Sequence, residues 1–243
     1  MRKSAGVNRI AVFLGPSLPA AERIVHPALT YVNPAARGDV ERASREFDAV
    51  LLIDGVFHQD LAPSPKEVFA ATQRCIVFGA ASMGALRAAE CFPYGMVPLG
   101  IIARWYMRGV VDGDDEVAVL VDPHTQTALT VPMVTVRYAL RSARRRRLLN
   151  HAHCEAVYAG ARGVYYMDRG WDDIFALVPQ RAQNDFRALA HENADLKRHD
   201  ALFALRSVLR RTQWRSESRR GRSTEAPRRP ARQIANESPD AKQ

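Results

Sequence analysis

The stretch of this sequence that most limits its possible folds runs from residue 74 to residue 90, RCIVFGAASMGALRAAE. Residues 75–78 form a short apolar run, which is typical of a strand that is covered on both faces in a parallel sheet. Residues 79–84 are small enough for a sharp backbone turn, and residues 85–90 are strong helix formers. The stretch therefore predicts a strand, a tight turn and a helix in direct succession, with Ser82 in the turn.

The position of Ser82 suits either chemistry or helix capping. The first N–H groups of a helix have no partner within the helix and carry the positive end of its dipole, so an anion or oxyanion binds well there. Residues 80–84 also approximate the G-x-S-x-G nucleophile elbow, with alanine in place of the first glycine. This interpretation makes Ser82 a nucleophile and assigns Gly79, Met83 and Gly84 to anion binding. The alternative is a serine that only caps a closely packed helix.

Apolar runs alternate with short helical segments through the first half of the chain. Such alternation indicates an α/β fold with a doubly wound, mostly parallel sheet that is Rossmann-like, and we assign this core to residues 8–131. Ligands of such sheets bind beyond the carboxyl ends of the strands. Strands are predicted over residues 9–15, 28–33, 48–54 and 75–78, and helices over residues 18–25, 38–46, 66–72, 85–90 and 100–108.

Helical periodicity replaces this alternation after Pro132 and predicts a helical extension over residues 132–214. A hairpin with strands at residues 117–122 and 126–131 precedes the change. Residues 215–243 are rich in Arg, Ser, Pro and Glu and contain almost nothing apolar, so they predict a disordered basic tail. Helices of the extension are predicted over residues 134–151, 154–166, 172–177, 180–192 and 195–211.

The charge and the cysteines narrow the class of protein. The net charge of +9 lies mostly in residues 141–147 and after Trp214, so it belongs to appended segments and makes a nucleic-acid partner unlikely. The three cysteines have no C-x-x-C spacing, which argues against a disulfide framework and a structural zinc site. Since we find neither an apolar run of about 18 residues nor a secretory signal, we expect a cytoplasmic protein without a membrane segment.

Polar residues follow two of the predicted strands. Gly15 and Ser17 come after the first strand, and Asp54 ends the third. A carboxylate at the end of a parallel strand points toward the cleft and costs free energy if it is merely buried, so Asp54 is a candidate for orienting a base or polarising water. Gly15 and Ser17 are candidates for binding a substrate or anion at the same edge, and ordinary turn residues are the alternative for both.

Four further residues are candidates for the same site. His58, in the loop after Asp54, has the near-neutral pKa that a general base for Ser82 needs, although an exposed loop histidine is the simpler interpretation. Lys66 and Glu67 begin the next helix, where a lysine binds an anion but opposes the helix dipole. Arg87 either pairs with Glu90 on its own helix or binds a carboxylate.

Three acids in succession, at residues 114–116, are the remaining candidate for a metal site. A hard-cation site needs more oxygen ligands than one such loop supplies, and charge repulsion or capping explains the run equally well. G-x-G-x-x-G and Walker A sequences are absent as well. We therefore expect no metal and no cofactor.

The motifs together resemble the TfuA family. Its hallmark block, Gly-Ala-x-Ser-Met-Gly-Ala-Leu-Arg-Ala-Ala-Glu, is matched by residues 79–90. Where that family usually shows a Trp-His-Lys-Glu-like sequence, residues 64–67 read Ser-Pro-Lys-Glu, so the histidine often found there is missing and His58 would have to replace it. Further landmarks are similar at residues 12–18, 34–39, 53–57, 94–96, 114–119 and 165–171.

The resemblance implies an accessory protein for thioamidation of a peptide or protein backbone by a YcaO-type ATP-dependent enzyme. It further implies that the protein supplies sulfide by hydrolysing the thiocarboxylate of a ubiquitin-like sulfur-carrier protein, as in the biosynthesis of ribosomally made peptides. The expected partners are the YcaO enzyme, the sulfur carrier and the precursor peptide. The alternative is a non-catalytic adaptor that docks the carrier or the peptide onto YcaO.

Overall fold

Five parallel strands form the sheet in the computed structural model, which describes residues 9–57, 61–193 and 195–222. Their order across the sheet is β2-β1-β3-β4-β5. This order, with helices on both faces, is that of a doubly wound α/β sheet, as the alternation of the sequence predicts. The strands are β1 (Ile10–Phe13), β2 (Leu29–Val32), β3 (Ala49–Leu52), β4 (Ile76–Gly79) and β5 (Val97–Pro98).

The helices fall into those that cover the sheet and those that form the C-terminal extension. Short 3-10 turns at Ala20–Glu22, Phe92–Tyr94, Asp114–Glu116 and Gln180–Ala182 lie between them. The helices are α1 (Asp39–Glu46), α2 (Pro65–Thr72), α3 (Met83–Cys91), α4 (Gly100–Met107), α5 (Met133–Arg145), α6 (His151–Gly163), α7 (Trp171–Ala176), α8 (Gln183–Asn193) and α9 (Leu196–Arg222).

Each face of the sheet has its own apolar layer, because successive residues of a strand point to opposite faces. Along β1, Ala11 and Phe13 pack with residues of α1, α2 and α3, whereas Ile10 and Val12 pack with α9. Strands β1 and β3 are consequently apolar and buried at every position, as strands inside a parallel sheet are. Helix α9, although it comes late in the chain, completes the core of the first half.

A second core lies within the helical extension. Apolar side chains of α5, α6, α7 and α8 pack there around Phe175 and Phe186, both almost fully buried. A smaller cluster joins α3, α4 and α5 around Ile102 and Val134. The extension therefore has the apolar interior that its helical periodicity predicts.

Three segments differ from the sequence prediction. The helix predicted over residues 18–25 is a single 3-10 turn at Ala20–Glu22. The helix predicted to reach residue 151 ends at Arg145, because Arg147 adopts a φ of 60° and the Asn150 side chain caps α6 by accepting the N–H of His153. The hairpin predicted over residues 117–131 forms only an isolated bridge between Val121 and Ala128.

The end of α9 overlaps the segment predicted to be a disordered tail. The helix continues to Arg222, beyond the predicted boundary at residue 214, and residues 223–243 lie outside the described part of the chain. By their internal contacts the residues divide into one unit that ends at Leu209 and a second that begins at Arg210. The predicted boundaries at residues 131 and 214 remain predictions. No described helix is both long and apolar enough to cross a membrane.

Candidate functional site

The carboxylate of Asp54 follows β3 and is bound by the loop that follows β1. Its Oδ2 accepts the backbone N–H groups of Gly15 at 2.9 Å and Ser17 at 3.0 Å, and its Oδ1 accepts the Ser17 hydroxyl at 2.6 Å. Three charge-assisted hydrogen bonds offset the cost of burying this carboxylate. The structure thus brings together three residues that the sequence predicts at this edge, and the first role of Asp54 is to hold the β1 loop.

Ser82 lies at the same edge of the sheet, in the turn between β4 and α3. Ala81 before it has a φ of 62°, a left-handed conformation that costs a residue with a Cβ about 1–3 kcal/mol. The N–H of Ser82 donates to the Ala80 carbonyl at 2.8 Å, which closes a tight γ-turn around Ala81. A strained backbone is typical of the nucleophile elbow. In this protein the strained residue is Ala81, which precedes the serine.

The hydroxyl of Ser82 does not cap α3, and its side chain is 1% exposed. Within the described ranges this hydroxyl makes no hydrogen bond, so the capping interaction that the sequence allows is not formed. The N–H of Met83 likewise has no acceptor among the described residues. In elbow hydrolases the residue after the nucleophile donates its N–H to the oxyanion, and Met83 occupies that position.

The glycines of the turn serve close packing. The N–H of Gly84 donates to the Ile53 carbonyl at 3.0 Å, so it is not available to an anion. A Cβ on Gly84 would lie 1.9 Å from the Leu52 carbonyl oxygen, and a Cβ on Gly79 would lie 2.2 Å from the Gly84 carbonyl oxygen. These contacts press α3 against the end of β3 and so set the position of Ser82.

Lys197, in the first turn of α9, is a residue of this edge that the sequence analysis missed. Its side chain is 4% exposed, and its Nζ donates to the Val117 carbonyl at 3.0 Å. Burial lowers the pKa of Lys197 from its usual range, while the negative charges of Asp54 and Asp195 act in the opposite direction. The charge of Asp54 at the carboxyl edge of the sheet therefore acts on this ammonium.

A pattern in the sequence does identify Lys197 as buried. Helical spacing puts it on the same face of α9 as the core residues Ala201, Ala204, Leu205 and Val208. All four are in the same apolar cluster as Ala80 and Ala81, which precede Ser82. A lone lysine on an apolar helix face is the signal that could have pointed to the site.

Glu67 and Lys66 are neighbours in the sequence, but one is buried and the other is exposed. Glu67 is buried in a capping box: its Oε2 accepts the N–H groups of Ser64 at 3.1 Å and Gly38 at 2.9 Å, while its N–H donates to the Ser64 hydroxyl. Its Oε1 is buried without a hydrogen-bond partner. Lys66 is exposed, and no described contact joins it to Asp54 or Ser82.

Arg87 pairs with Glu90 on its own helix, which is one of the two interpretations that the sequence allows. Its Nη1 donates to Glu90 Oε2 at 2.5 Å and its Nε to the Pro63 carbonyl at 2.6 Å, so it ties α3 to the loop before α2. His58 lies outside the described residues.

The acidic run at residues 114–116 has an ionic partner. Both oxygens of Glu116 bind the guanidinium of Arg137, with Nη2 to Oε1 at 2.5 Å and Nε to Oε2 at 2.8 Å. In the described part of the chain, no group of three or more His, Cys, Asp or Glu side chains has the arrangement of a metal site.

Comparison with known families supports the assignment that the motifs indicate. Residues 54–170 match the family model described as TfuA-like protein. This part of the chain is a TfuA-like domain. No curated protein matches the sequence. TfuA-like proteins are associated with YcaO-dependent thioamidation.

The TfuA-like match covers only part of the site. Asp54, Glu67 and Ser82 lie within it, whereas Ser17 and Lys197 lie outside it, before and after the matched residues. Two clefts open elsewhere: one of ≈560 Å³ lies between α4 and α5, and one of ≈410 Å³ lies beside residues 162–166. Neither is lined by Asp54 or Ser82, and both of these residues are almost fully buried.

Proposed function

We propose that this protein supplies sulfide for YcaO-dependent thioamidation by hydrolysing the C-terminal thiocarboxylate of a ubiquitin-like sulfur carrier. The observation that carries the proposal is the strained turn at Ser82, which leaves a hydroxyl and the adjacent Met83 N–H without partners among the described residues. A thiocarboxylate combines a negative charge with an acyl carbon, and such a turn suits both.

The reaction balances with water as the only co-reactant. The Ser82 oxygen attacks the acyl carbon, the C–S bond breaks, and the sulfur leaves as hydrosulfide. Water then hydrolyses the acyl-serine ester, which releases the carrier as a carboxylate and restores the hydroxyl. No oxidant or reductant is needed, because the acyl carbon keeps its oxidation state.

The neighbouring groups have separate roles in this proposal. The Met83 N–H and the Lys197 ammonium stabilise the developing oxyanion, since a fixed donor and a buried charge act most strongly in a site without water. Asp54 holds the β1 loop and keeps Lys197 at the edge of the sheet. For the Ser82 proton we retain His58 as the acceptor, in the loop that follows Asp54.

Removing one oxygen atom tests the nucleophile. We expect Ser82→Ala to reduce sulfide release from an authenticated thiocarboxylated carrier by about a thousandfold or more, with melting close to that of the unchanged protein. Ser44→Ala is the matched control, because Ser44 is also a buried serine but lies within α1, where its hydroxyl donates to the Glu41 carbonyl. Full activity of Ser82→Ala would eliminate the covalent mechanism.

The two described lysines offer a second comparison, because one is buried at the site and one is exposed. We expect Lys197→Met to lower sulfide release by about a hundredfold, through loss of oxyanion stabilisation, and Lys66→Met to lower it less than threefold. If Lys66→Met lost activity and Lys197→Met did not, the role proposed for Lys197 would be contradicted, and Lys66 would be the lysine of the site.

A non-catalytic adaptor is the second candidate, and the burial of Ser82 favours it. A residue that is 1% exposed gives a carrier terminus little access to its hydroxyl unless a covering segment moves. An adaptor would bind the thiocarboxylated carrier and YcaO without releasing sulfide. Absence of release by the unchanged protein, measured beside retained carrier binding, would decide for the adaptor.

A further inference from the structure

A basic cleft of ≈560 Å³ opens between α4 and α5, away from Ser82 and Asp54. Helix α4 contributes Ile101 and Trp105, which are one helical turn apart. The remaining lining residues share one face of α5 by their spacing of three and four positions. They are Tyr138, Arg141, Arg144 and Arg145.

No salt bridge of the described residues involves the three arginines of this cleft, whereas several other arginines of the protein are paired with carboxylates. One turn earlier on α5, Arg137 is paired with Glu116, and on other helices Arg187 pairs with Asp172 and Arg198 with Glu22. Within the described ranges, no acidic side chain forms a salt bridge with any of the three cleft arginines, and none lines the cleft. Three like charges are therefore held close together without compensation.

Among the cleft arginines, Arg141 has surroundings that oppose its own positive charge. Its guanidinium lies 4.4 Å from the centroid of the Trp105 ring, over the ring face, and this contact removes it partly from water. Burial and the positive charge of Arg137 both lower the pKa of Arg141. A negatively charged ligand would relieve both effects.

The spacing of the arginines fits an extended acidic peptide. Arg141 and Arg145 are four residues apart, which is about 6 Å along a helix axis. Alternate side chains of an extended chain are about 6.6–6.8 Å apart on one face. Two carboxylates at alternate positions would therefore each meet a guanidinium, and bidentate pairs of this kind are the strong ones.

Single-stranded nucleic acid fits the cleft less well. Its binding depends on aromatic faces on which bases stack. Trp105 is only 7% exposed and its ring face is covered by Arg141, while Tyr138 lies tilted against His199 with 6.4 Å between the ring centroids. The aromatic residues support the arginines and leave no free stacking surface.

We propose that this cleft docks an acidic, extended segment of a protein partner. The recognised chemistry is a pair of glutamate or aspartate side chains at alternate positions, bound by the three arginines over the apolar floor of Ile101 and Trp105. This surface is separate from the Ser82 edge, so the inference does not depend on the hydrolysis proposed above.

Fluorescence anisotropy with the full chain tests the proposal. The probe is a fluorescein-labelled peptide of alternating glutamate and glycine, compared with the same peptide carrying glutamine for glutamate. We expect the triple change Arg141→Gln, Arg144→Gln and Arg145→Gln to weaken binding of the glutamate peptide at least tenfold at physiological salt. The control, Arg146→Gln, Arg181→Gln and Arg206→Gln, removes the same charge from exposed positions that do not line the cleft, and should change affinity less than twofold.

Three results would overturn the proposal: equal weakening by both triple changes, equal binding of the glutamate and glutamine peptides, or tighter binding of a single-stranded RNA of equal charge through the same three arginines. The replaced side chains are exposed, so both variants should melt like the unchanged protein. If the cleft triple does not fold, Arg144→Glu alone takes its place, and it should weaken the glutamate peptide and leave the glutamine peptide unaffected.

Discussion

Buried charges of single residues define the carboxyl edge of the sheet. Asp54 is compensated by three hydrogen bonds, whereas Lys197 has one carbonyl partner and the field of Asp54. A buried lysine with so few contacts stabilises a fold weakly, since the desolvation of its ammonium is only partly repaid. Residues that cost stability in this way are found preferentially at functional sites, which is why Lys197 has a place in the proposed chemistry.

A third buried charge, Asp200, caps α4 and predicts a pH dependence of stability. Its carboxylate accepts the N–H groups of Ile101 at 2.8 Å and Ile102 at 2.7 Å, and burial raises its pKa to about 6. Between pH about 4 and pH 6 the folded protein thus binds more protons at this residue than the unfolded chain does. The free energy of unfolding must fall as pH rises through this window, by at most about 3 kcal/mol from this group, and then level off.

Urea unfolding measured from pH 4 to pH 7 checks this expectation. Asp200→Asn keeps a capping oxygen but cannot ionise, so its free energy of unfolding should lack the fall contributed by Asp200. Asp122→Asn is the control, because Asp122 is exposed and its pKa is lowered, which places its titration below this window. An unchanged slope in Asp200→Asn would contradict the assignment.

At the scale of elements, the β4 turn and α3 depend on how closely the helix approaches β3. A Cβ on Gly84 would meet the backbone of Leu52 at 1.9 Å, and backbone cannot yield as a flexible side chain does. We expect Gly84→Ala to lower the free energy of unfolding by about 3 kcal/mol or more. Gly163→Ala, at the end of α6 with open space around its Cβ, should be neutral or slightly stabilising.

Chemical denaturation of both variants, with sulfide release measured on the folded fraction, gives the comparison. A shift of α3 that preserves folding should still displace Ser82 and lower activity in Gly84→Ala. If Gly84→Ala is as stable as Gly163→Ala, the close approach of α3 and β3 is not required.

Elements were predictable where a local pattern decides them. The apolar run and the small residues at 75–84 predict β4 and the turn that follows it. Because parallel strands end at the same edge of the sheet, the sequence also predicts that Gly15, Ser17 and Asp54 lie at one edge. The end of α5 was not predictable, because it depends on the left-handed backbone of Arg147 and the Asn150 cap inside an otherwise helical pattern.

The same distinction applies to the residues of the site: those set by a local pattern were predictable, and those set by distant contacts were not. Interactions that depend on distant parts of the chain could not be predicted from the sequence: Glu67 accepts the Gly38 N–H, and the charge of Asp54 acts on Lys197, more than a hundred residues away. The position of a residue in the chain predicts which edge of the sheet it lies near, but not whether its side chain points toward that edge. Lys66 begins α2, as predicted for a site residue, but its side chain is exposed to solvent.

At the scale of the whole molecule, residues outside the TfuA-like match complete the sheet that carries Ser82. Strand β1 lies in the middle of the sheet, and α9 covers one of its faces. The four residues Ala201, Ala204, Leu205 and Val208 are fully buried in that layer. Folding of the matched segment and formation of the site therefore require contacts between residues about 190 apart in sequence.

Two truncations test this dependence on α9. A chain that ends at Leu209 keeps all four buried residues, so it should unfold cooperatively with a free energy close to that of the full chain and should retain sulfide release.

A chain that ends at Asp195 exposes the sheet face that α9 covers and loses Lys197. Deleting four buried apolar side chains, each worth about 1–3 kcal/mol on burial, exceeds the stability margin of most domains of this size. We therefore expect loss of the cooperative transition in urea and binding of a hydrophobic dye. A cooperative transition and sulfide release in the shorter chain would show that neither α9 nor Lys197 is part of the site, and loss of folding in the longer chain would place essential packing beyond Leu209.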